Sequence, residues 1–232
     1  MVIMTFNIQS GTNYPDIDRI NVKYCAAVIK KYNPDIVGLN EVHDGGKWGY
    51  QTRELAELLG YPYYYFAKAI EAGSPYGNAI LSKYPIKKAE TVMIPDPLVK
   101  DEDAYYETRC ILNAIIDCEK ELNVLVTHMG LANSEKENAV KTIFSIVGKS
   151  PVRTVLLGDF NMHPENSLMD KLQEILCDSA NYDKEKYFTF PSDNPKEKID
   201  YIFTSRDLCV ENVFVPIEIG SDHRAYVCEI RF

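Results

Sequence analysis

The segment VRTVLLGDFNMHPEN, residues 152–166, constrains the fold more than any other: its apolar run breaks off abruptly at Gly-Asp-Phe-Asn. Strand side chains alternate between faces, so Asp159 and Asn161 project together while Phe160 projects the other way. Gly, Asp and Asn are also turn formers, and on this segment alone a plain turn would serve. The rest of the chain repeats the pattern. VIMTFN stops at Asn7, IVGLNE at Glu41 and VLVTH at His128. KID sets Asp200 beside Tyr201, and IGSDH places Asp222 and His223 just before the last strand. If these ends converge, they line one cleft with Asn7, Glu41, His128, Asp159, Asn161, Asp200, Asp222 and His223.

Between those ends, periodicity separates strands from helices. A strand over 1–7 leads to an amphipathic helix over 16–33, with Asp16 and Asp18 as helix-starting residues. A strand over 34–42 precedes a helix over 52–60 that Gly60 ends. Strands are expected at 61–67, 78–82, 89–94, 107–117 and 121–129. A helix over 134–149 follows, with Ser134 as its cap and Glu137 three residues on, as in a capping box. Then come a strand at 154–158, a helix over 167–180, and closing strands at 198–205, 208–216 and 225–232. Adjacent strands with helices placed singly among them imply mixed sheets whose outer faces the helices cover.

At 232 residues and 46% apolar content the chain buries a sizeable core and suits one domain over 1–232. No repeat, low-complexity tract or linker divides it. Nothing approaches the roughly 18 continuous apolar residues of a membrane span. MVIMTFNIQ reads as a strand, not a signal peptide. Six scattered cysteines without a C-x-x-C pair read as buried reduced thiols, which fits the cytoplasm. The net charge of −9 argues against tight non-specific binding of duplex DNA, which calls for a basic face. Lys83, Lys87 and Lys88, then Lys184 and Lys186, then Lys196 and Lys198, read as solvated local patches.

A cleft holding Glu41, Asp159, Asp200 and Asp222 has an electrostatic problem. Two unit charges 4 Å apart repel by about 4 kcal/mol at an effective dielectric near 20. Either some of these carboxyls take up protons or a cation sits among them. Oxygen-rich donors with few imidazoles and no thiolate favour Mg²⁺ or Mn²⁺ over zinc. Such a metal makes chemical sense beside an anionic substrate, and a phosphoryl group is the usual one.

The ordered set TFNIQSG, LNEV, YGNAILSKYPI, ETR, VTHMGL, GDFN, KIDYIF and SDH resembles the endonuclease/exonuclease/phosphatase superfamily across residues 2–231. That group includes deoxyribonuclease-like enzymes, apurinic-site endonucleases, neutral sphingomyelinases, inositol polyphosphate 5-phosphatases and deadenylases. One departure is Asn40, where relatives usually carry Gln before the metal-binding Glu. The resemblance implies a four-layer α/β/β/α sandwich of two mixed sheets flanked by helices, with the site at one rim. It implies that Glu41, assisted by Asn7 and with Asp222 nearby, holds Mg²⁺ on a phosphate oxygen. By the same resemblance Asp159 would position or deprotonate the attacking water, with Asn161 hydrogen-bonding beside it. It further implies that His223, oriented by Asp200, contacts the phosphate as acid–base or charge stabiliser, and Asp159 and His223 stand as joint candidates for the base. His128, Arg109 and Asn78 are implied to stabilise charge on the phosphoryl oxygens.

His43 and His163 match no such position and read as loop residues; the run YPYYYF reads as packed core or rim rather than a base-stacking platform. The expectation is a metal-dependent phosphoesterase acting on a phosphodiester in nucleic acid, a phospholipid head group or a small phosphorylated metabolite. The segments 93–109 and that following His163 are the expected specificity elements. A catalytically silent phosphate-binding module of the same fold and a zinc enzyme are the rival readings.

Overall fold

Alternating apolar residues build two sheets that face each other. In the computed structural model, which describes residues 1–14, 16–100, 102–180 and 186–232, each sheet has six strands. The first runs β13 (Cys209–Phe214), β14 (Tyr226–Arg231), β1 (Val2–Asn7), β4 (Ile36–His43), β6 (Tyr76–Ser82), β5 (Tyr63–Ile70). The second runs β11 (Cys177–Asp178), β12 (Asp200–Thr204), β10 (Arg153–Asp159), β9 (Glu121–His128), β8 (Cys110–Asp117), β7 (Ile86–Met93). Each sheet contains one parallel pair, β1 with β4 and β9 with β10, and its other pairings are antiparallel.

The core lies in three apolar seams. Ile3, Ile36, Val124, Val126, Val155, Leu157 and Ile202 pack between the sheets. Helices α1 (Lys23–Tyr32) and α2 (Gln51–Leu59) cover the outer face of the first sheet, where Val28, Ile29 and Leu55 meet Phe6, Val37 and Leu39. Helices α3 (Asn133–Val147) and α4 (Ser167–Ile175) cover the second, where Val140, Ile143 and Leu172 meet Leu125, Leu156 and Phe203. The result is the expected α/β/β/α sandwich. Gly38 lets the sheets come close, since a Cβ there would lie 2.0 Å from Leu157 Cδ1. No described helix is long and apolar enough to cross a membrane.

Several expected elements differ. Residues 16–20 form a strand, β3 (Asp16–Ile20), pairing with β2 (Thr12–Asn13), so the first helix is confined to α1. The side chains of Asp16 and Asp18, taken as helix starters, lie outside the described residues, as does Lys184. Helix α3 begins one residue earlier than expected and is not capped by Ser134. Glu135, three residues after Ala132, accepts the Ala132 N–H at 3.2 Å, and Glu102 accepts the N–H groups of Asn133 and Ser134 at 2.8 and 2.9 Å. Asn166 caps α4, which stops at Ile175 so that residues 177–178 can pair with β12. The segment expected as strand from 107 becomes strand at Cys110, leaving Glu107 and Arg109 at the rim.

Cys25, Cys110 and Cys228 are buried, but Cys118 and Cys177 are half-buried and Cys209 is exposed; all six are free thiols. Lys198 is not surface: it is buried against Asp178 at 2.8 Å. Lys83 pairs with Asp35, Lys87 with Asp117 and Glu121, and Lys88 with Glu90, so these patches are neutralised rather than basic. In the tyrosine run, Tyr61 is buried while Tyr63 and Tyr64 stand exposed on the edge strand β5.

Candidate active site

The apolar stripes that fill the space between the sheets all end on polar groups at one rim. On β1 the inward series is Ile3, Thr5, Asn7; on β10 it is Val155, Leu157, Asp159. On β9 Val124 and Val126 lead to His128, and on β12 Ile202 leads back to Asp200. Period-two alternation therefore delivers these side chains to one cleft. Strand pairing sets Asp159 directly between His128 and Asp200, and Asn7 beside Asn40. Phe160 projects the other way, into the core under α3 and α4.

Glu41 breaks the alternation. Its neighbour Asn40 occupies the inward position, so regular strand geometry would turn Glu41 outward. Instead Glu41 takes a left-handed conformation (φ 55°) where the register of β4 with β6 shifts between Leu39 and Val42. Such an irregularity re-aims a side chain, and strained backbone of this kind concentrates at functional sites. Asn161 is likewise left-handed (φ 49°). Gly158 (φ 145°) lets β10 approach β9, since a Cβ there would lie 1.8 Å from the Thr127 carbonyl oxygen.

Asp159 is the hub. Its Oδ2 accepts from Asn7 Nδ2 at 3.0 Å and lies 3.5 Å from His128 Nε2 and 3.7 Å from His223 Nε2. Its Oδ1 accepts the Asn161 N–H at 2.9 Å, while the Asn161 amide donates to the Met129 carbonyl. Asn7 Nδ2 also donates to Glu41 Oε1 at 3.0 Å. Behind His223, Asp200 Oδ2 lies 2.8 Å from Nδ1 and also accepts from Thr189 Oγ1 at 2.6 Å. Behind His128, Arg109 Nη1 lies 2.8 Å from Nδ1. Asp159, His128, His223, Asp200 and Asn7 are all buried.

This burial shapes the charges. It raises the proton affinity of Asp159, with Asp200 adding to the rise, against opposing contributions from His223 and the hydrogen bonds of Asn161 and Asn7. Burial disfavours the His223 imidazolium, but the facing carboxylates of Asp200 and Asp159 outweigh it, and its pKa rises. His128 has the opposite fate: burial, then the charges of Arg109 and His223, hold its pKa well below the ordinary imidazole value. Burial also raises the carboxyls of Glu41 and Asp222, each despite the nearby charge of His223.

Two of the expected residues are engaged by other protein groups. Asn78 is buried between the sheets; its Oδ1 accepts from Asn40 Nδ2 at 2.8 Å, and its Nδ2 donates to the Cys110 carbonyl at 2.9 Å. The Arg109 guanidinium is engaged by His128 and, at 2.9 Å, by Glu107. Asn40, read from the sequence as a minor departure, is the link between sheets: besides Asn78 it donates to the Thr127 carbonyl and accepts the Asp159 N–H. His43 is not a loop residue. It ends β4 and stacks on Trp48 with ring centroids 4.5 Å apart, whereas His163 is an exposed residue beyond the strand, as expected.

The carboxylates of Glu41 and Asp222 suit a hard divalent cation, and Asn7, whose Oδ1 accepts the Gln9 N–H while its Nδ2 donates to Glu41 and Asp159, holds those acids in place. Asp159, Asp200 and His223 also place potential ligand atoms within 4.8 Å of one another. Burial, with Asp222 adding to it, raises the proton affinity of Glu41, and a cation beside it would offset that rise.

With this geometry in place, the class is clear: a two-sheet sandwich whose rim gathers acids, amides and imidazoles from both sheets. The chain belongs to the endonuclease/exonuclease/phosphatase family, matching it over residues 4–223. No curated protein matches it in sequence. Among solved structures, an endonuclease/exonuclease/phosphatase from Beutenbergia cavernae superposes with a TM-score of 0.82 at 23% identity, covering 100% of this chain and 71% of that one. A mannosyl-6-phosphatase from Bacteroides thetaiotaomicron gives 0.78 at 19% identity, covering 100% of both chains. A humanized D. rerio TDP2 gives 0.73 at 14%, covering 100% of this chain and 99% of that one.

Proposed function

We propose that the chain is a divalent-metal-dependent phosphoesterase that cleaves a phosphodiester by in-line attack of water. The observation that carries this reading is the convergence of Asn7, His128 and His223 on Asp159 Oδ2. Both imidazole distances exceed hydrogen-bond length, so the two rings face the carboxylate without closing on it.

Asp159 is then the base. A buried carboxylate with raised proton affinity is suited to accept a proton near neutral pH. His223, held as an imidazolium by Asp200, is the acid or charge stabiliser rather than the base. Asn161 fixes one face of the Asp159 carboxylate, and His128 donates to charge growing on the phosphoryl group. Glu41, Asn7 and Asp222 would hold Mg²⁺ or Mn²⁺, which supplies Lewis-acid neutralisation of a phosphate oxygen when bound.

The esterified group has an open basin beside Glu41, about 640 Å³ and lined by His43, Lys47, Trp48, Ser74 and Tyr76. That volume suits a compact alcohol, within the range of small-molecule sites. The pairing of Lys83, Lys87 and Lys88 with carboxylates supports the same preference over long duplex DNA. The similarity to a mannosyl-6-phosphatase makes a phosphorylated sugar one arm of the substrate test.

The test is hydrolysis of bis-p-nitrophenyl phosphate, p-nitrophenyl phosphate, a sugar phosphate, sphingomyelin, RNA and DNA, each with Mg²⁺ and after chelation. Turnover that chelation abolishes and Mg²⁺ restores, and that Glu41→Gln loses, supports the reading. Phosphate-ester binding without turnover by the wild type makes the chain a silent binding module instead.

A further inference from the structure

Two imidazoles face Asp159, and groups of opposite sign hold them from behind. His223 Nδ1 meets the Asp200 carboxylate at 2.8 Å. His128 Nδ1 meets Arg109 Nη1 at 2.8 Å. A guanidinium nitrogen donates and never accepts, so Nδ1 of His128 must be the bare, accepting nitrogen. The ring's one proton then lies on Nε2, the nitrogen that faces Asp159 at 3.5 Å. A second proton on Nδ1 would set N–H against N–H and break the Arg109 contact.

Arg109 is itself fixed. Its Nη1 lies 2.9 Å from Glu107 Oε1, and its side chain is only 11% exposed. The Glu107 N–H donates to Glu135 Oε1 at 3.0 Å, and the other oxygen of Glu135 accepts the Ala132 N–H at the head of α3. The charged groups around His128 are thus Arg109, with Glu107 beyond it, on one side and Asp159 and His223 on the other.

We propose that Arg109 is a positioning residue that locks His128 in the Nε2–H tautomer, so that the nitrogen facing Asp159 offers phosphoryl oxygens a neutral donor. Arg109 acts through His128 and not on the phosphate. The catalytic consequence rests on the phosphoesterase reading, but the tautomer is a property of the resting protein and is measured without turnover.

The experiment is two-bond ¹H–¹⁵N NMR of the imidazole nitrogens at neutral pH in the full chain. It has four histidines to resolve, and His128→Asn assigns the signal. The proposal expects a protonated Nε2 and a bare Nδ1 on His128. A proton on Nδ1, alone or together with one on Nε2, overturns it. Arg109→Met should mix the tautomers and lower kcat by about 10²-fold with KM nearly unchanged, as for loss of one oriented donor. Arg109→Lys, which still donates, should restore part of both. A folded Arg109→Met variant with the wild-type tautomer also overturns the proposal. Should the variant not fold, the wild-type spectrum decides. The Nε2–H tautomer in a protein that hydrolyses no phosphate ester would sink the functional reading and leave this assignment standing.

Discussion

Asn40 Oδ1 accepts the backbone N–H of Asp159 at 3.0 Å, joining the end of β4 in one sheet to the end of β10 in the other. The same amide donates to Asn78 Oδ1 and to the Thr127 carbonyl, both at 2.8 Å. The floor of the cleft is therefore a hydrogen-bonded amide bridge rather than apolar packing. Buried amide networks fix geometry when every member is satisfied and are costly when one is not.

Asn40→Ala strands the Asp159 N–H and the Asn78 oxygen in the interior. It should lower unfolding free energy by roughly 1–3 kcal/mol per unsatisfied group, and lower kcat because Asp159 is freed to shift. Asn40→Asp keeps the shape but cannot donate, and should be worse in both respects. Urea denaturation paired with steady-state kinetics checks this. Wild-type kcat in Asn40→Ala would remove the bridge from the account of the site.

His128 gives a pH prediction with a definite sign. Its folded pKa lies well below the ordinary value of 6.5. A depressed pKa means the unfolded chain takes the proton first, so the contribution of His128 is fully present above 6.5 and is lost as pH falls below it. His128→Asn lacks this titration. The stability gap between wild type and variant should shift against the wild type between about pH 7 and pH 5. Denaturant midpoints at several pH values measure it, and a gap that stays constant over that range contradicts a neutral buried His128.

The buried pair Lys198–Asp178 predicts a stability effect away from the chemistry. Lys198 Nζ lies 2.8 Å from Asp178 Oδ2 and 4.4 Å from the Tyr201 ring centroid, next to the strand that carries Asp200. Asp178→Asn should cost roughly 1.5–3 kcal/mol, the worth of a hydrogen bond to a charged group, by removing the carboxylate 2.8 Å from this buried cation. The double variant with Lys198→Met should recover part of that loss. Additive losses in the double-mutant cycle would show that the two charges do not support one another.

How much of this was legible follows from the range of the interactions involved. Asn7, His128, Asp159 and Asp200 were readable because each ends an apolar stripe of fixed period, a local pattern. Glu41 was readable as a strand-end acid, but its entry into the cleft depends on a left-handed backbone that alternation does not foresee. The head of α3 was misplaced because its cap comes from Glu102, some thirty residues upstream, which a local capping rule cannot see. The roles of Asn78 and Arg109 at a phosphate come from the resemblance, not from any local pattern of residues. The structure engages Asn78 with Asn40 in the other arm of the amide bridge and Arg109 with His128. Trp48 drew no attention because it sits outside every motif, and only the fold stacks it on His43.

The central claim is that Asp159 takes the proton of the attacking water. Its most direct test is kcat of Asp159→Asn with Mg²⁺ on bis-p-nitrophenyl phosphate, or on whichever ester the panel shows to be hydrolysed, with thermal unfolding run alongside. The account predicts a fall of about 10²–10⁴-fold in a variant that folds like the wild type. Turnover within a few-fold of wild type in that folded variant would contradict it.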